Sequence, residues 1–465
     1  MDQQPQTRSS PCNAEALHSP IPQGQGGESP VWDLIVVGGG AAGLAAGLTA
    51  ARRGKRVLIL ERTNECGKKL AVTGGKKGNF THTDEPETMA RQYNTETRVL
   101  LKLMRRFPYL RIIEFFRQLG VRHIVDEEGC VWPNPKSAPR LRAALVDAFR
   151  GASGIITTHA HVAGIDPRRE HPDRGAMTNH CTPEPAWRWT VATDSGRYST
   201  RSVLICTGGM SYPATGSSGD GYELARRLGH RVEPVYSALA SLVFDGEFSE
   251  LSGITIGKTT VTLRIADRLR QDRGKDSSPT IKPSETAPFL FAGKCITGRA
   301  VINLCGFAAK ALQEGRSVTA IVDWLPDSTE ADLREEIAEQ RIHHGRMQVN
   351  NFIASKSAKR LANLLCGKAG LPGDRIVAEL SRAELSRLLD VLKRTEIKIA
   401  GAEPLARATV TGGGVVLDEV DLTTFESKLH EGLFFAGEIL DVWGRSGGYN
   451  LHFAWASGIA AGEAV

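Results

Sequence analysis

The stretch WDLIVVGGGAAGLAAGLTAARRGKRVLILE, Trp32 to Glu61, decides the fold. Its opening run is a short continuous apolar strand ending in glycines, as a strand covered on both faces would be. AAGLAAGLTAARRG, to Gly54, reads as a helix with small residues on its packing side, and RVLILE, Arg56 to Glu61, as a second strand. Strand, helix and strand within about thirty residues is the size of one βαβ unit. Gly38, Gly40 and Gly43 then have the spacing of a dinucleotide fingerprint. The first permits the tight turn, the second lets the backbone approach a pyrophosphate, and the third lets the helix pack closely on the sheet. The phosphates would sit at the positive end of that helix. Glu61 closes the second strand, where a carboxylate can accept hydrogen bonds from both ribose hydroxyls and disfavours a 2'-phosphate.

Pyridine-nucleotide and flavin enzymes share this fingerprint, so other segments must separate them. LAVTGGKKGNFTHTD, Leu70 to Asp84, places Gly74, Gly75 and Gly78 in a loop after Lys68 and Lys69. Either this is a surface turn, or its amides and Asn79 meet the ribityl chain and edge of a flavin. VLICTGGMSYP, Val203 to Pro213, is an apolar strand ending in Thr207, Gly208 and Gly209, as expected where a strand tip meets a cofactor. GLFFAGEILDVWGRSGGYNLHFAWASGIAAG, Gly432 to Gly462, is the most informative. Its strand ends in Gly437, Glu438 and Asp441, and a loop carries Gly444, Gly447 and Gly448 into a helix beginning near Tyr449. Free amides and a positive dipole end there would suit the negative charge a flavin gathers on reduction. An ordinary closing βα unit is the alternative, but so many glycines in one loop are costly unless the backbone must approach something.

A chain of 465 residues has room for about three domain-sized units. Its 49 glycines are in excess, since about 7% is usual. The net charge of +6 is spread along the chain, which disfavours a nucleic-acid face. Eight cysteines without a Cys-x-x-Cys pair read as mostly reduced thiols in a cytoplasmic protein. Residues 1–30, rich in Pro, Gln, Ser and Gly, read as a disordered tail without a secretory apolar core, and no apolar run is long enough for a membrane span. A helical region, Met89 to Leu119, breaks near Pro108. Strands follow at Arg122–Val125, Cys130–Trp132 and Ile155–Ile165, with a polar loop at Pro167–Pro185. The expected division is a dinucleotide-binding domain over 31–232 and 401–465, split by an inserted domain over 233–400. That insert is β-rich over 233–325, with a charged, mobile stretch at Asp267–Pro288, and helical over 326–400.

Five segments together carry a resemblance: WDLIVVGGGAAGLAAGLTAARRGKRVLILER, KKLAVTGGKKGNFT, CTGGMSYPATGSSGDGYELARRLGH, TGGGVVLDEVDLTTFESK and GLFFAGEILDVWGRSGGYNLHFAWASG. They resemble the BaiN-like (YhiN-like) NAD(P)/FAD-dependent oxidoreductases, also described as aminoacetone oxidase family enzymes, from about residue 32 to the C-terminus. The resemblance implies an α/β fold, in which an FAD-binding Rossmann domain like that of glutathione reductase carries an inserted β-barrel-like domain and a helical subdomain. It also implies FAD bound by Gly38, Gly40, Ala41, Ala42, Gly43, Glu61, Arg62, Lys69, Gly75 and Asn79. From later segments it adds Thr207, Gly208, Gly437, Asp441, Gly448, Tyr449, Asn450 and Leu451, with Val162 on the strand whose backbone meets adenine. In two places the chain departs from the family: Lys77, Gly78 and Asn79 stand where an Arg-Cys-Asn is usual, so a thiol is lost, and Leu290 to Gly306 keeps the family's later Gly and apolar pattern but departs upstream, with Lys294 and Cys295.

The expected activity is hydride transfer between bound flavin and a small organic substrate, with NAD(P)H as a transient reductant or oxygen as exchange partner. A flavin-containing RNA-modifying or RNA-binding protein is the alternative, suggested by the basic text within Arg341–Arg360. Spacing reveals no catalytic acid or base, because flavin chemistry resides in the cofactor. Trp443, Tyr449 and His452 read as packing near the flavin. Cys295 and Cys305 read as structural thiols, with a redox pair as the other option. His159 and His161 alternate on an expected strand without metal-ligand partners. Gly216, Gly219 and Gly221 around Asp220 suggest a second nucleotide loop, but no βαβ unit follows.

Overall fold

The computed structural model describes residues 30–168, 187–246, 248–266, 280–344 and 346–465. The expected tail, most of the Pro167–Pro185 loop and the first part of the mobile stretch lie outside the described residues.

In chain order the first part runs β1 (Trp32–Val37), α1 (Ala41–Arg52), β2 (Val57–Leu60), α2 (Lys68–Val72), β3 (Thr81–His82), α3 (Pro86–Ala90), α4 (Thr97–Arg106), α5 (Tyr109–Arg117), β4 (Arg122–Val125), β5 (Cys130–Asn134) and α6 (Ala138–Gly151). Next come β6 (Ile155–Thr157), β7 (Val162–Pro167), β8 (Trp189–Thr193), β9 (Gly196–Ile205) and α7 (Asp220–Arg227). The middle holds β10 (Val232–Ala238), β11 (Leu242–Phe244), β12 (Thr255–Ala266), β13 (Thr280–Ala292), β14 (Cys295–Thr297), α8 (Arg299–Gln313) and β15 (Ser317–Asp323). Then follow α9 (Glu330–His343), α10 (Val349–Ala354), α11 (Lys359–Lys368), α12 (Arg382–Arg394) and β16 (Thr395–Ala402), before β17 (Val410–Val415), β18 (Leu433–Phe435) and α13 (Tyr449–Ala464).

The main sheet has the order β6-β2-β1-β9-β8-β7, with β18 also on β9. Its central strands β1, apart from Asp33, and β2 are apolar and buried, as strands covered on both faces are. One cover is the pair α1 and α13. Small residues let these helices nearly touch: a Cβ at Gly458 would lie 2.4 Å from the Ala42 carbonyl, and one at Gly462 2.4 Å from that of Ala46. β3, β5 and β4 form a small separate sheet, and β10 pairs only with β17.

The middle strands close on themselves as a barrel, β11-β14-β13-β12-β15-β16. β12 alternates buried and outer residues, with Val261, Leu263 and Ile265 inside. The architecture is thus the expected α/β one, a Rossmann domain with a β-barrel and helical parts. Three local readings need correction. Thr280–Pro288, read as the end of a mobile stretch, belongs to β13, whose exposed Ser284 and Thr286 pair with Thr262 and Thr260 of β12. The β-rich reading of 233–325 missed α8, which presents Ala300, Val301, Leu304, Cys305 and Ala308 to the barrel core. The single strand Ile155–Ile165 is two, broken where His159 takes a positive φ of 54°, so His159 and His161 do not share a strand. No helix among the described residues is long and apolar enough to cross a membrane.

Candidate functional site

Parallel register sets four strand ends level. Val37 of β1 lies opposite Leu60 of β2 and Ile205 of β9, and Ile205 lies opposite Phe435 of β18. Gly38, Glu61, Cys206 with Thr207, and Ala436 with Gly437 therefore emerge together at the carboxyl edge, where open α/β sheets bind ligands. A cavity of about 480 Å³ lies over that edge. This is within the roughly 300–1,000 Å³ of ligand clefts.

At the fingerprint, each glycine has a distinct reason. Gly38 has φ +104°, and a Cβ there would lie 2.8 Å from the Cys206 carbonyl. Gly43 packs from behind, where a Cβ would stand 2.1 Å from the Gly38 carbonyl, so it is not on the cavity wall. Gly40 lines the cavity with Ala41 and Ala42, and a Cβ on it would meet nothing within 4 Å. It caps α1 without any side-chain hydrogen bond, which leaves first-turn amides for an anion. Glu61 is buried and braces the loop: Oε2 accepts from the Gly39 amide at 2.9 Å and Oε1 from that of Thr63 at 2.8 Å. Each oxygen keeps lone-pair capacity for a ribose hydroxyl.

Beyond Glu61, Arg62 pairs with Asp220 at 2.6 Å and also bonds Ser218. The loop Thr215–Ser218 with Asp220 thus lines the same cavity as Arg62, His161 and Val162. Of the glycines around Asp220, Gly216 lines this cavity, and Gly219 and Gly221 do not.

A polar network occupies another wall. Lys69 donates to both oxygens of Glu438, at 2.7 and 2.9 Å, and to Ser211 at 2.6 Å. Glu438 Oε1 also accepts from Ser211 at 3.0 Å and from the Thr411 amide at 2.8 Å. Segments far apart in sequence are tied to one point beside Gly208 and Gly437, which also line the cavity.

At the far end, α13 starts from Gly448, with φ +99° and no side-chain cap. A Cβ on Gly448 would lie 2.6 Å from the Thr81 carbonyl and 2.7 Å from Asn79 Oδ1. Asn79, Gly448, Asn450 and Leu451 line the cavity here. Asn79 Oδ1 and Thr207 Oγ1 are buried without a hydrogen-bond partner among the described residues. Each such atom costs about 1–3 kcal/mol when unsatisfied, so both point to a ligand. Amides of α1 for a pyrophosphate, Glu61 for a ribose, and Asn79 with the start of α13 for a polar ring edge make a donor set that fits FAD.

Three further expected residues lie off the wall. Gly75 is on an exposed turn, although its neighbour Gly74 lines the cavity. Asp441 accepts from the Gly413 amide at 3.1 Å and from Asn94 at 3.4 Å, and burial pushes its carboxyl up from the ordinary range. The Tyr449 hydroxyl donates to Asp84 at 2.8 Å, with its ring stacked on His82. Trp443 and His452 are also packing residues, and neither lines the cavity. Gly78, where the family's cysteine is lost, has φ +80°, and a Cβ there would meet Ala138 Cα at 2.9 Å. Cys295 and Cys305 are free thiols. No metal-binding cluster occurs among the described residues.

Sequence reasoning missed Cys130, Trp132, Arg299 and Arg445, all on the cavity wall. Arg299 is held by Glu128, with Nη2 to Oε1 at 2.8 Å, and Arg445 by Glu285 at 2.7 Å. The helical spacing after Arg299 was the one available signal.

The family model described as "HI0933-like protein Rossmann domain" matches residues 32–464. The chain is 27% identical over 433 residues to the 3-dehydro-bile acid delta(4,6)-reductase of Clostridium scindens, covering 92% of this chain and 98% of that protein. It is 24% identical to the ribosomal RNA dihydrouridine synthase of Haemophilus influenzae, covering 93% and 98%, and 26% identical to that of Escherichia coli, covering 93% and 97%. Among solved structures, 3-ketosteroid-delta4-(5alpha)-dehydrogenase from Rhodococcus jostii RHA1 is similar, with TM-score 0.45, 14% identity and coverage of 93% and 97%.

Proposed function

We propose that this chain, which belongs to the HI0933-like Rossmann family and is a flavin-dependent oxidoreductase, passes a hydride to a carbon–carbon double bond conjugated with a carbonyl in a small organic substrate. NAD(P)H is the proposed reductant. The observation that carries the reading is convergence: glycine loops after β1, β9 and β18, the Asn79 loop and the starts of α1 and α13 all meet at one cavity. When bound, FAD supplies the hydride exchange. The names of the relatives support the reaction class, since removing a delta(4,6) unsaturation beside a 3-oxo group and making dihydrouridine both saturate such a bond.

The chain's own residues would divide the work. First-turn amides of α1 hold the pyrophosphate, and Glu61 orients the ribose. Amides at the start of α13 bring positive partial charge to the ring end. Leu239, Val410 and Val442 give the wall apolar surface that excludes water. Arg299 and Arg445, fixed by their carboxylates, are placed to hydrogen-bond a substrate carbonyl oxygen.

An RNA substrate is the second reading, favoured by the two dihydrouridine synthases among the relatives. The basic segment gives it little support: Arg341 donates to the Val377 and Leu380 carbonyls, Lys356 pairs with Glu336, and Arg360 donates to the Glu250 and Ser252 carbonyls. The test is spectroscopic. Purified protein incubated with FAD should absorb near about 450 nm, bleach with NADH or NADPH, and recover with 2-cyclohexen-1-one. Failure to hold flavin defeats the proposal. Recovery with a uridine-rich RNA but not with the enone selects the second reading.

A further inference from the structure

β5 turns successive side chains to opposite faces. Val131 is fully buried in the core, while Cys130 and Trp132 on either side of it line the cavity. The Asn79 carboxamide lies near the Cys130 thiol and acts on its acidity. Asn79 is only 9% exposed, and its Oδ1 is one of the unpartnered atoms that point to a ligand. Cys130 therefore shares the Asn79–Gly448 end of the cavity with the start of α13.

Saturating a conjugated double bond takes a proton as well as a hydride, so some group must supply one. Arg299, beside Cys130, keeps its proton, because its pairing with Glu128 raises its pKa further. Lys69 already points its ammonium at Glu438 and Ser211. The Cys206 thiol donates to the Gly38 carbonyl at 3.1 Å, behind the fingerprint turn. Resting on the reductase reading above, we propose that Cys130 is the proton donor, delivering its proton to the substrate carbon next to the carbonyl.

In that step the S–H bond breaks and its pair stays on sulfur, while the pair of the breaking C=C π bond makes the new C–H bond next to the carbonyl. The hydride's two electrons become the other new C–H bond, and the thiolate regains a proton from water. The surroundings keep the donor loaded. Burial pushes the thiol up from its ordinary range, Asp126 and Glu128 push the same way, and Asn79 and Arg299 oppose them without prevailing. His82 lies opposite Cys130 on β3 and is held by Asp84, while the Tyr449 ring stacks on it. A thiol that must be protonated makes the rate fall as pH rises through its own pKa.

The test compares wild type with Cys130→Ala as holoenzymes. The variant is expected to keep its FAD, while reoxidation of its reduced flavin by 2-cyclohexen-1-one slows about 10²–10⁴-fold, the usual worth of a positioned acid. A second readout needs no substrate. Raising the pH of oxidised wild type should bring up absorbance beyond about 500 nm, from a thiolate against the flavin, and Cys130→Ala should show none. Equal reoxidation rates, or no such band in wild type, overturn the assignment. Wild type inert to the enone overturns the reductase reading, and the donor role with it; an active wild type with an equally active variant overturns the donor role alone.

Discussion

Gly40→Val separates cofactor binding from folding. Gly40 has φ −76° and ψ −167°, open to any residue, and an added Cβ would find no protein atom within 4 Å. The free protein should therefore change in stability by no more than about 1 kcal/mol, since a branched residue caps a helix slightly less well than glycine. The cavity, however, is where that side chain must go. Holding a pyrophosphate off two amides forfeits two hydrogen bonds to a charged group, each about 1.5–3 kcal/mol, so FAD should bind about 10²–10⁴-fold more weakly. Gly43→Ala is the contrast: its Cβ would stand 2.1 Å from the Gly38 carbonyl and 2.8 Å from Cys206 Sγ. Overpacking of this kind costs about 1–3 kcal/mol and should appear in the free protein. FAD titration by flavin fluorescence, with melting curves of the FAD-free proteins, checks both. Near-native FAD affinity in Gly40→Val would refute the phosphate assignment. A free Gly40→Val protein as unstable as Gly43→Ala would refute the steric reasoning.

Two other perturbations have clear signs. Lys69→Met strips Glu438 of its half-buried partner and should cost about 1–2 kcal/mol, less than a fully buried pair would, whereas the double variant with Glu438→Gln should recover most of that; additive melting-temperature losses would mean that the pair is not coupled. His452 is fully buried, with Nδ1 to Thr81 at 2.7 Å and Nε2 to the Phe107 carbonyl at 3.0 Å, and burial lowers its pKa from 6.5 to about 4. Because the unfolded chain then binds the extra proton first, stability should be lost as pH falls from 6.5 toward 4, by up to about 3 kcal/mol, and His452→Gln should flatten denaturant midpoints over that window.

The parts legible in the sequence were those whose signal is local. An apolar run ending in glycines marks a strand whose backbone must turn or be approached, and β1, β9 and β18 all end this way at one edge. Barrel closure was hidden because it depends on partners far apart, as when Leu242 meets Ala402. β13 was hidden because its outward face is polar, so TIKPSETAP reads as loop until β12 lies beside it. The loss of a cysteine at position 78 could be read, but not that the nearby β5 brings the Cys130 thiol to the cavity. Side chains of this kind reach the site through tertiary packing, and no spacing rule encodes them.

That contrast bears on how the halves of the molecule work together. The proposed cofactor grip is largely backbone, so it tolerates change in side chains but not in register. The proposed substrate wall is side chain, and much of it depends on α8. One face of α8 packs into the barrel core through Ala300, Val301, Leu304, Cys305 and Ala308. The other carries Arg299, Asn303, Gly306 and Phe307, successive turns of one stripe. Asn303 accepts from the Ser446 amide at 2.9 Å and donates to Glu285, which holds Arg445. Phe307 meets Trp443 edge-on at 5.0 Å, and a Cβ at Gly306 would strike the Trp443 ring at 2.3 Å. The loop that starts α13 is thus clamped to a helix rooted in the barrel. A shift of that helix would move Arg299, Arg445 and the α13 amides together, so on the proposed reading the barrel sets the geometry between substrate and cofactor without touching the phosphate end.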